Sequence, residues 1–180
     1  TNFYLHSGGK ANSVRGNGSL SQVAPREEQT DQYVYDPQDP VPTRGGTTLG
    51  LALGVLDQSK IEEREDVLVY TGEVLTSDIE VTGSVTLKLF AASSASDTDF
   101  TAKLVDVRPD GYAQNIAEGV IRARFRESLS SPTLITAGQV YEYTIDLWAT
   151  SHVFKTGHRV RLEVSSSNFP SYARNLNTAN

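Results

Sequence analysis

Cysteine and methionine are both absent from the 180 residues. Without cysteine there are no disulfides, no thiolate chemistry and no Cys-ligated zinc, a state compatible with the cytosol and with a bacterial export route alike, so the compartment stays open. The lack of methionine extends to position 1, and the chain runs straight into Phe3-Tyr4-Leu5, as expected of a piece taken from a longer protein. No run of about 18 apolar residues occurs, and the N-terminus has no basic segment ahead of an apolar one. Neither a membrane span nor a signal peptide is therefore read, and no membrane partner is expected. Positive charge is also scarce: 16 Lys and Arg against 22 Asp and Glu give a net charge of −6, with the cations scattered rather than gathered into a stripe. That is not the footprint that nucleic-acid phosphates require, so DNA and RNA are not expected partners.

Catalytic motifs are missing too. No Gly-x-Ser-x-Gly pentapeptide marks a nucleophilic serine, and His6, His152 and His158 show none of the spacings of a helical zinc site. Each reads as a structural histidine, His6 in a first strand, His152 in a loop after Trp148 and His158 at the start of a strand. No catalytic residue, metal or cofactor is assigned to this chain.

What is present is β-patterning. Val85, Leu87 and Leu89 alternate with Thr86, Lys88 and Phe90, and Tyr141, Tyr143, Ile145 and Leu147 with Glu142, Thr144 and Asp146. Val160, Leu162 and Val164 alternate with Arg159, Arg161 and Glu163, and Ile121, Ala123 and Phe125 with Arg122 and Arg124. This period of two is that of half-buried strands. Residues 100–107 form a further strand, turned by Pro109-Asp110-Gly111 into a hairpin with 113–125, and 67–70 and 79–81 add short ones. The first 65 residues differ. Gly8-Gly9, Gly16-Asn17-Gly18, Asp36-Pro37, Asp39-Pro40 and Gly45-Gly46 break them up, so a strand at 3–6 is followed by long loops over the rest of the fold, loops of a kind that commonly meet a partner. The acidic run 61–66 reads as a solvated approach to the strand at 67 rather than a helical turn.

Three clusters invite chemistry. Asp97 and Asp99 could hold a cation or exchange protons, but carboxylates at such a bend ordinarily cap backbone N–H groups. Arg122, Arg124 and Arg126, at alternate positions of one strand, form a basic row that pairs with neighbouring acids. Tyr33, Tyr35, Tyr70, Tyr112 and Trp148 could form a sugar-stacking platform, the signature of a stand-alone carbohydrate- or ligand-binding β-sandwich; core or seam positions are the alternative.

Several ordered blocks are more specific. Asp66-Val67-Leu68-Val69-Tyr70-Thr71, Glu80-Val81-Thr82-Gly83, the run 97–107 with Pro109-Asp110-Gly111, the run 119–127, Phe154-Lys155-Thr156-Gly157-His158-Arg159, Ser165-Ser166-Ser167-Asn168-Phe169-Pro170 and Arg174-Asn175-Leu176-Asn177-Thr178 follow one another. Phe3-Tyr4-Leu5, Tyr35-Asp36-Pro37, Asp39-Pro40-Val41-Pro42, Gly45-Gly46 and Asp57-Gln58 precede them. Together they resemble, over nearly the whole chain, the C-terminal domain of the cocaine-esterase/NonD and X-prolyl dipeptidyl-peptidase family of serine hydrolases. The resemblance implies one all-β domain over 1–180, a jelly-roll β-sandwich of galactose-binding-like type, with residues 1–66 as a strand plus covering loops and 67–180 as the main strands. It implies an α/β-hydrolase catalytic domain as partner within the same protein, with the Ser-His-Asp triad wholly ahead of residue 1, cleaving esters, amides or X-prolyl peptide bonds through an acyl-serine. It also implies that residues 47–53 approach the substrate cleft, where Leu49 and Leu51 are the candidate lining residues. Relatives continue past the Asn-x-Asn-Thr block into a final strand, so an open sheet edge, and a homodimer through it, is expected here.

Overall fold

The structure, a computed structural model, describes residues 1–47 and 53–179. Its strands are β1 (Tyr4–His6), β2 (Ser19–Ser21), β3 (Leu68–Gly72), β4 (Ile79–Ala91), β5 (Asp99–Val107), β6 (Ala113–Arg122), β7 (Tyr141–Phe154) and β8 (Arg159–Ser165). Six of them form one sheet in the order β1-β2-β3-β8-β5-β6, antiparallel except for the parallel β2–β3 pair, and β4 and β7 form a second, two-stranded antiparallel layer.

The two layers close on one another through the apolar half of each alternating pattern. Leu68 and Tyr70 of β3, Phe100, Ala102 and Leu104 of β5, and Val160, Leu162 and Val164 of β8 face Tyr143, Ile145, Leu147 and Phe154 of β7, with Val81, Val85, Leu87 and Leu89 of β4 at the margin. The Phe100 and Tyr143 rings meet with centroids 4.8 Å apart in a tilted arrangement. Tyr143, Ile145 and Phe154 are completely buried; such a side chain contributes about 1.5–3 kcal/mol by leaving water. This is a β-sandwich.

The opposite face of the large sheet is also covered. Thr101, Lys103 and Val105 of β5, and Arg161 and Glu163 of β8, are buried, although the alternating pattern assigns them away from the core. The cover is the long N-terminal segment. Val69 donates its N–H to the Ala11 carbonyl, Ser13 to Val67 and Val14 to Glu62, while Val41, Ile61, Val67 and Val69 form a second small apolar cluster. Ahead of β3 the described residues hold two short strands, β1 and β2.

Several local readings need correction. Residues 79–81 and 85–90 belong to one continuous strand, because Gly83, with φ 113° and open space around it, lets β4 pass without a turn. Strand β7 likewise runs through the stretch read as a loop after Trp148, so His152 is a strand residue paired with Val81. A register irregularity opposite Ser84–Thr86 absorbs Trp148, whose φ is 66°. The strand expected over 121–125 stops at Arg122: Asp97 Oδ1 accepts the Arg124 N–H and the Thr98 carbonyl accepts that of Ala123, which winds Ala123–Phe125 into a 3-10 turn. Residues 61–66 are not a solvated approach. Ile61 and Glu62 are buried, and their N–H groups both donate to the Gln58 carbonyl, forming a tight turn pressed on the sheet.

Candidate functional site

The cleft-lining expectation falls on residues 47–53, of which Leu49 and Leu51 lie outside the described residues. The base of that segment is well defined. Gly46 and Gly54 exchange backbone hydrogen bonds at 2.9 and 2.8 Å. Gly45, Gly46 and Gly54 all have φ between 77° and 85°, a conformation that costs a residue with a Cβ about 1–2 kcal/mol. At Gly45 space forbids a side chain as well, since a Cβ would lie 2.5 Å from the Gly54 carbonyl oxygen; one on Gly46 meets the end of the Glu118 side chain at 2.7 Å, and Gly54 has open space.

Beneath these glycines the loop is fixed to the edge strand β6. Asn115 Oδ1 accepts the Leu56 N–H at 2.7 Å, and Asp57 Oδ1 accepts that of Ala113 at 3.0 Å. Gln58, fully buried, donates Nε2 to the Arg44 and Leu56 carbonyls and its N–H to Ala113, so both legs of the loop hang from one side chain. On the far side Asn168 Nδ2 donates to Glu118 Oε2 at 3.0 Å, and Thr43 lies along Phe169, to whose carbonyl its N–H donates. Leu53 and Val55, on the returning leg, are exposed. Sequence reasoning picked out the double glycine and Asp57-Gln58 only as family blocks and missed Asn115 and Glu118 altogether.

The other candidates are structural. Asp97 and Asp99 are buried and fully engaged: Asp97 accepts from Arg124 Nε at 2.8 Å, Asp99 from Arg122 Nε at 2.9 Å, and Asn175 Nδ2 donates to both. The bond to Asp99, before other causes, raises the Arg122 pKa. The arginine row therefore pairs with neighbouring acids as expected, though from a strand end and a 3-10 turn, and its third member, Arg126, reaches Glu127 and lies over the Tyr141 ring. His152 Nε2 and His158 Nδ1 meet the two oxygens of Asp106 at 2.9 and 2.8 Å, and His6 bonds Glu28 and Ser21. Among the described residues no group of three or more His, Cys, Asp or Glu side chains is arranged to hold a metal.

The aromatics do not make a platform. Tyr33 and Tyr70 are tied inward through Ser166 and Asp31, and burial pushes the Tyr33 hydroxyl up to about 12. Tyr35 bonds the Asn175 carbonyl, Tyr112 lies under Arg108, and only Trp148 of the five stands free, 74% exposed.

Asp97 and Asp99 are thus engaged by arginines, and the segment around Gly46 and Gly54 is braced on an edge strand. The profile of the X-Pro dipeptidyl-peptidase C-terminal non-catalytic domain matches residues 1–180. The chain belongs to that family. The chain is 55% identical over 180 residues to the cocaine esterase of Rhodococcus sp. (strain MB1 Bresler), a match covering 99% of this chain and 31% of that protein. Among solved structures it resembles an α-amino acid ester hydrolase (TM-score 0.85, 32% identity, 99% of this chain and 30% of that one). It also resembles an aminopeptidase from a marine sediment Thaumarchaeota archaeon (TM-score 0.83, 34% identity, 98% and 31%). The chain thus spans under a third of the length of these relatives and corresponds to the non-catalytic C-terminal domain of CocE/NonD and X-Pro peptidase hydrolases. That family reading also displaces the stand-alone sugar-binding module.

Proposed function

We propose that this chain is the accessory domain of a larger serine hydrolase acting on ester, amide or X-prolyl peptide bonds, that it docks on the α/β-hydrolase catalytic domain of the same protein, and that its 47–53 loop walls one side of the substrate cleft. The observation that supports this reading is the braced base of the loop. Gln58 bonds the Arg44 and Leu56 carbonyls, Asn115 bonds the Leu56 N–H, and Gly46 and Gly54 bond each other, a fixed base of the kind that positioning a substrate demands. Leu49 and Leu51 are the side chains proposed to meet the acyl group.

The test is steady-state kinetics on the full-length hydrolase with esters of graded acyl size. Leu49→Ala and Leu51→Ala are expected to change kcat/KM about 10-fold between small and bulky acyl groups, the worth of a methylene or two in an apolar pocket, with the melting temperature unchanged. Equal effects on every acyl size, or none, would remove the loop from the cleft.

Association of two copies is a further proposal. Among the described residues strands β4 and β7 pair only with each other, so the second layer has strand edges that a second chain could extend. Sedimentation of the full-length protein decides it: a monomer at all concentrations rules out the edge.

A further inference from the structure

Glu62 and Glu163 lie in the covered face of the large sheet, 1% and 3% exposed. Glu163 is on β8, opposite Lys103 of β5, and Glu62 belongs to the turn at 58–66 that presses on these strands. Arg161 Nη1 donates to Glu62 Oε2 and its Nε to Thr71 Oγ1. Lys103 donates to Gln58 Oε1 at 3.2 Å rather than to a carboxylate. That leaves Glu62 Oε1 and Glu163 Oε1 both buried and both without a partner.

Two ionised carboxylates could not keep these oxygens in place. Burying an anionic oxygen without a donor is strongly unfavourable, and the two charges would repel across a poorly screened gap. The two carboxyl groups lie within hydrogen-bonding reach of each other, so one proton shared between them removes one of the two charges and leaves Arg161 with a single carboxylate to neutralise. We propose that Glu62 and Glu163 share one proton, Glu163 donating to Glu62, and that this proton seats the 58–66 turn on the sheet.

The surrounding charges agree. Lys103 and Arg161 are the cations that pull on the pair; Arg159, two places before Arg161 on β8, donates to the Gly72 carbonyl, Glu118 of β6 stands opposite Lys103 and is bonded to Asn168, and β3 contributes the neutral Thr71. On the turn itself Arg64 is taken by Asp66 and Asp39, Lys60 pairs with Glu63, and Asp57 faces Ala113 and Ser59. From the N-terminal loop Arg15 reaches the Glu63 carbonyl. None of these donates to either orphan oxygen. Burial, followed by the neighbouring Glu62 charge, pushes Glu163 up to about 8 against the pull of Lys103, and burial raises Glu62 as well.

The sign follows from linkage. The folded state holds a proton that the unfolded state releases at about pH 4.3, so the stability it contributes is whole below that pH and is lost as pH rises through about 8.

Urea titrations of the chain between about pH 5 and pH 9, paired with Glu163→Gln, test this. The amide that Glu163→Gln introduces keeps a hydrogen for Glu62 but cannot lose it. The unfolding constant of the wild type is expected to rise relative to the variant about tenfold per pH unit up to about pH 8. The infrared carbonyl band of a neutral carboxylic acid, present in the wild type at about pH 7, is expected to vanish in Glu163→Gln. Parallel pH profiles, or no neutral-acid band in the wild type, would overturn the proposal. The band and the wild-type profile require no variant to fold.

Discussion

Arg124 holds Asp97 with two groups, donating its backbone N–H to Oδ1 at 2.9 Å and its side-chain Nε to Oδ2 at 2.8 Å. The carboxylate is fully buried and also accepts from Asn175, so it fixes the end of β6 and the C-terminal segment together. Arg124 then reaches on to the Thr178 carbonyl and Arg122 to that of Ala173. Asp97→Ala leaves a guanidinium and an amide facing a hole and is expected to cost about 3–5 kcal/mol in urea unfolding. Limited proteolysis would then cut first within 173–178. A loss below about 1 kcal/mol would show that the tail is held by other contacts.

Gly119 offers a second test. It faces the sandwich interior, where β7 crosses so closely that a Cβ would sit 2.1 Å from the Asp146 carbonyl oxygen. Backbone has to move to admit it, so Gly119→Ala should cost about 2–3 kcal/mol. Gly111→Ala is the control: φ is 88° but the space is open, and the cost should stay at about 1–2 kcal/mol. Thermal melts of the two variants should rank in that order.

Asp78 predicts the acid limb of stability. It accepts from the Thr156 N–H, the Thr156 hydroxyl and Lys155 Nζ, and these bonds, the backbone one first, draw its pKa down to about 2. Stability from this site is present above the unfolded value of about 3.9 and is lost as pH falls toward about 2. Asp78→Asn should flatten the wild-type decline in that window and lower the neutral-pH melting temperature by a correspondingly small amount, solvent screening an exposed site.

Trp148 is exposed and held at φ 66° on the β7 irregularity, its N–H donating to Asp146 Oδ1. Glycine adopts that conformation without strain but gains freedom when unfolded, and the two effects offset. Trp148→Gly should therefore leave the chain's stability within about 1 kcal/mol. In the full-length hydrolase a larger loss would place the indole in a contact made outside this chain.

Much of the strand framework was legible, because the runs 85–90, 141–147 and 159–164 carry apolar residues at alternate positions and turn chemistry at Asp97-Thr98-Asp99 and Pro109-Asp110-Gly111 bounds β5. Alternation names two faces without saying what covers either. Arg161 and Glu163 therefore read as outward residues, whereas a segment much earlier in the chain buries them, Glu62 lying 99 positions before Arg161. The 3-10 turn after Arg122 was hidden for a related reason: its cause, the Asp97 carboxylate, lies 27 positions away in sequence. The candidate cleft loop came from resemblance alone. Its mount on Asn115 and Gln58 depends on contacts between distant segments, and buried amides leave no periodic trace in a sequence.

The position of β8 bears on how the chain can be made. Residues 159–165 form the strand between β3 and β5, so everything translated before them must wait with two sheet edges exposed. A ribosome-bound chain that ends just before β8 holds the N-terminal cover and the β4–β7 ribbon but has no central strand to join them. Sheet closure is thus a late event, and the interval before it is when nascent chains are most open to pairing with one another or with a chaperone.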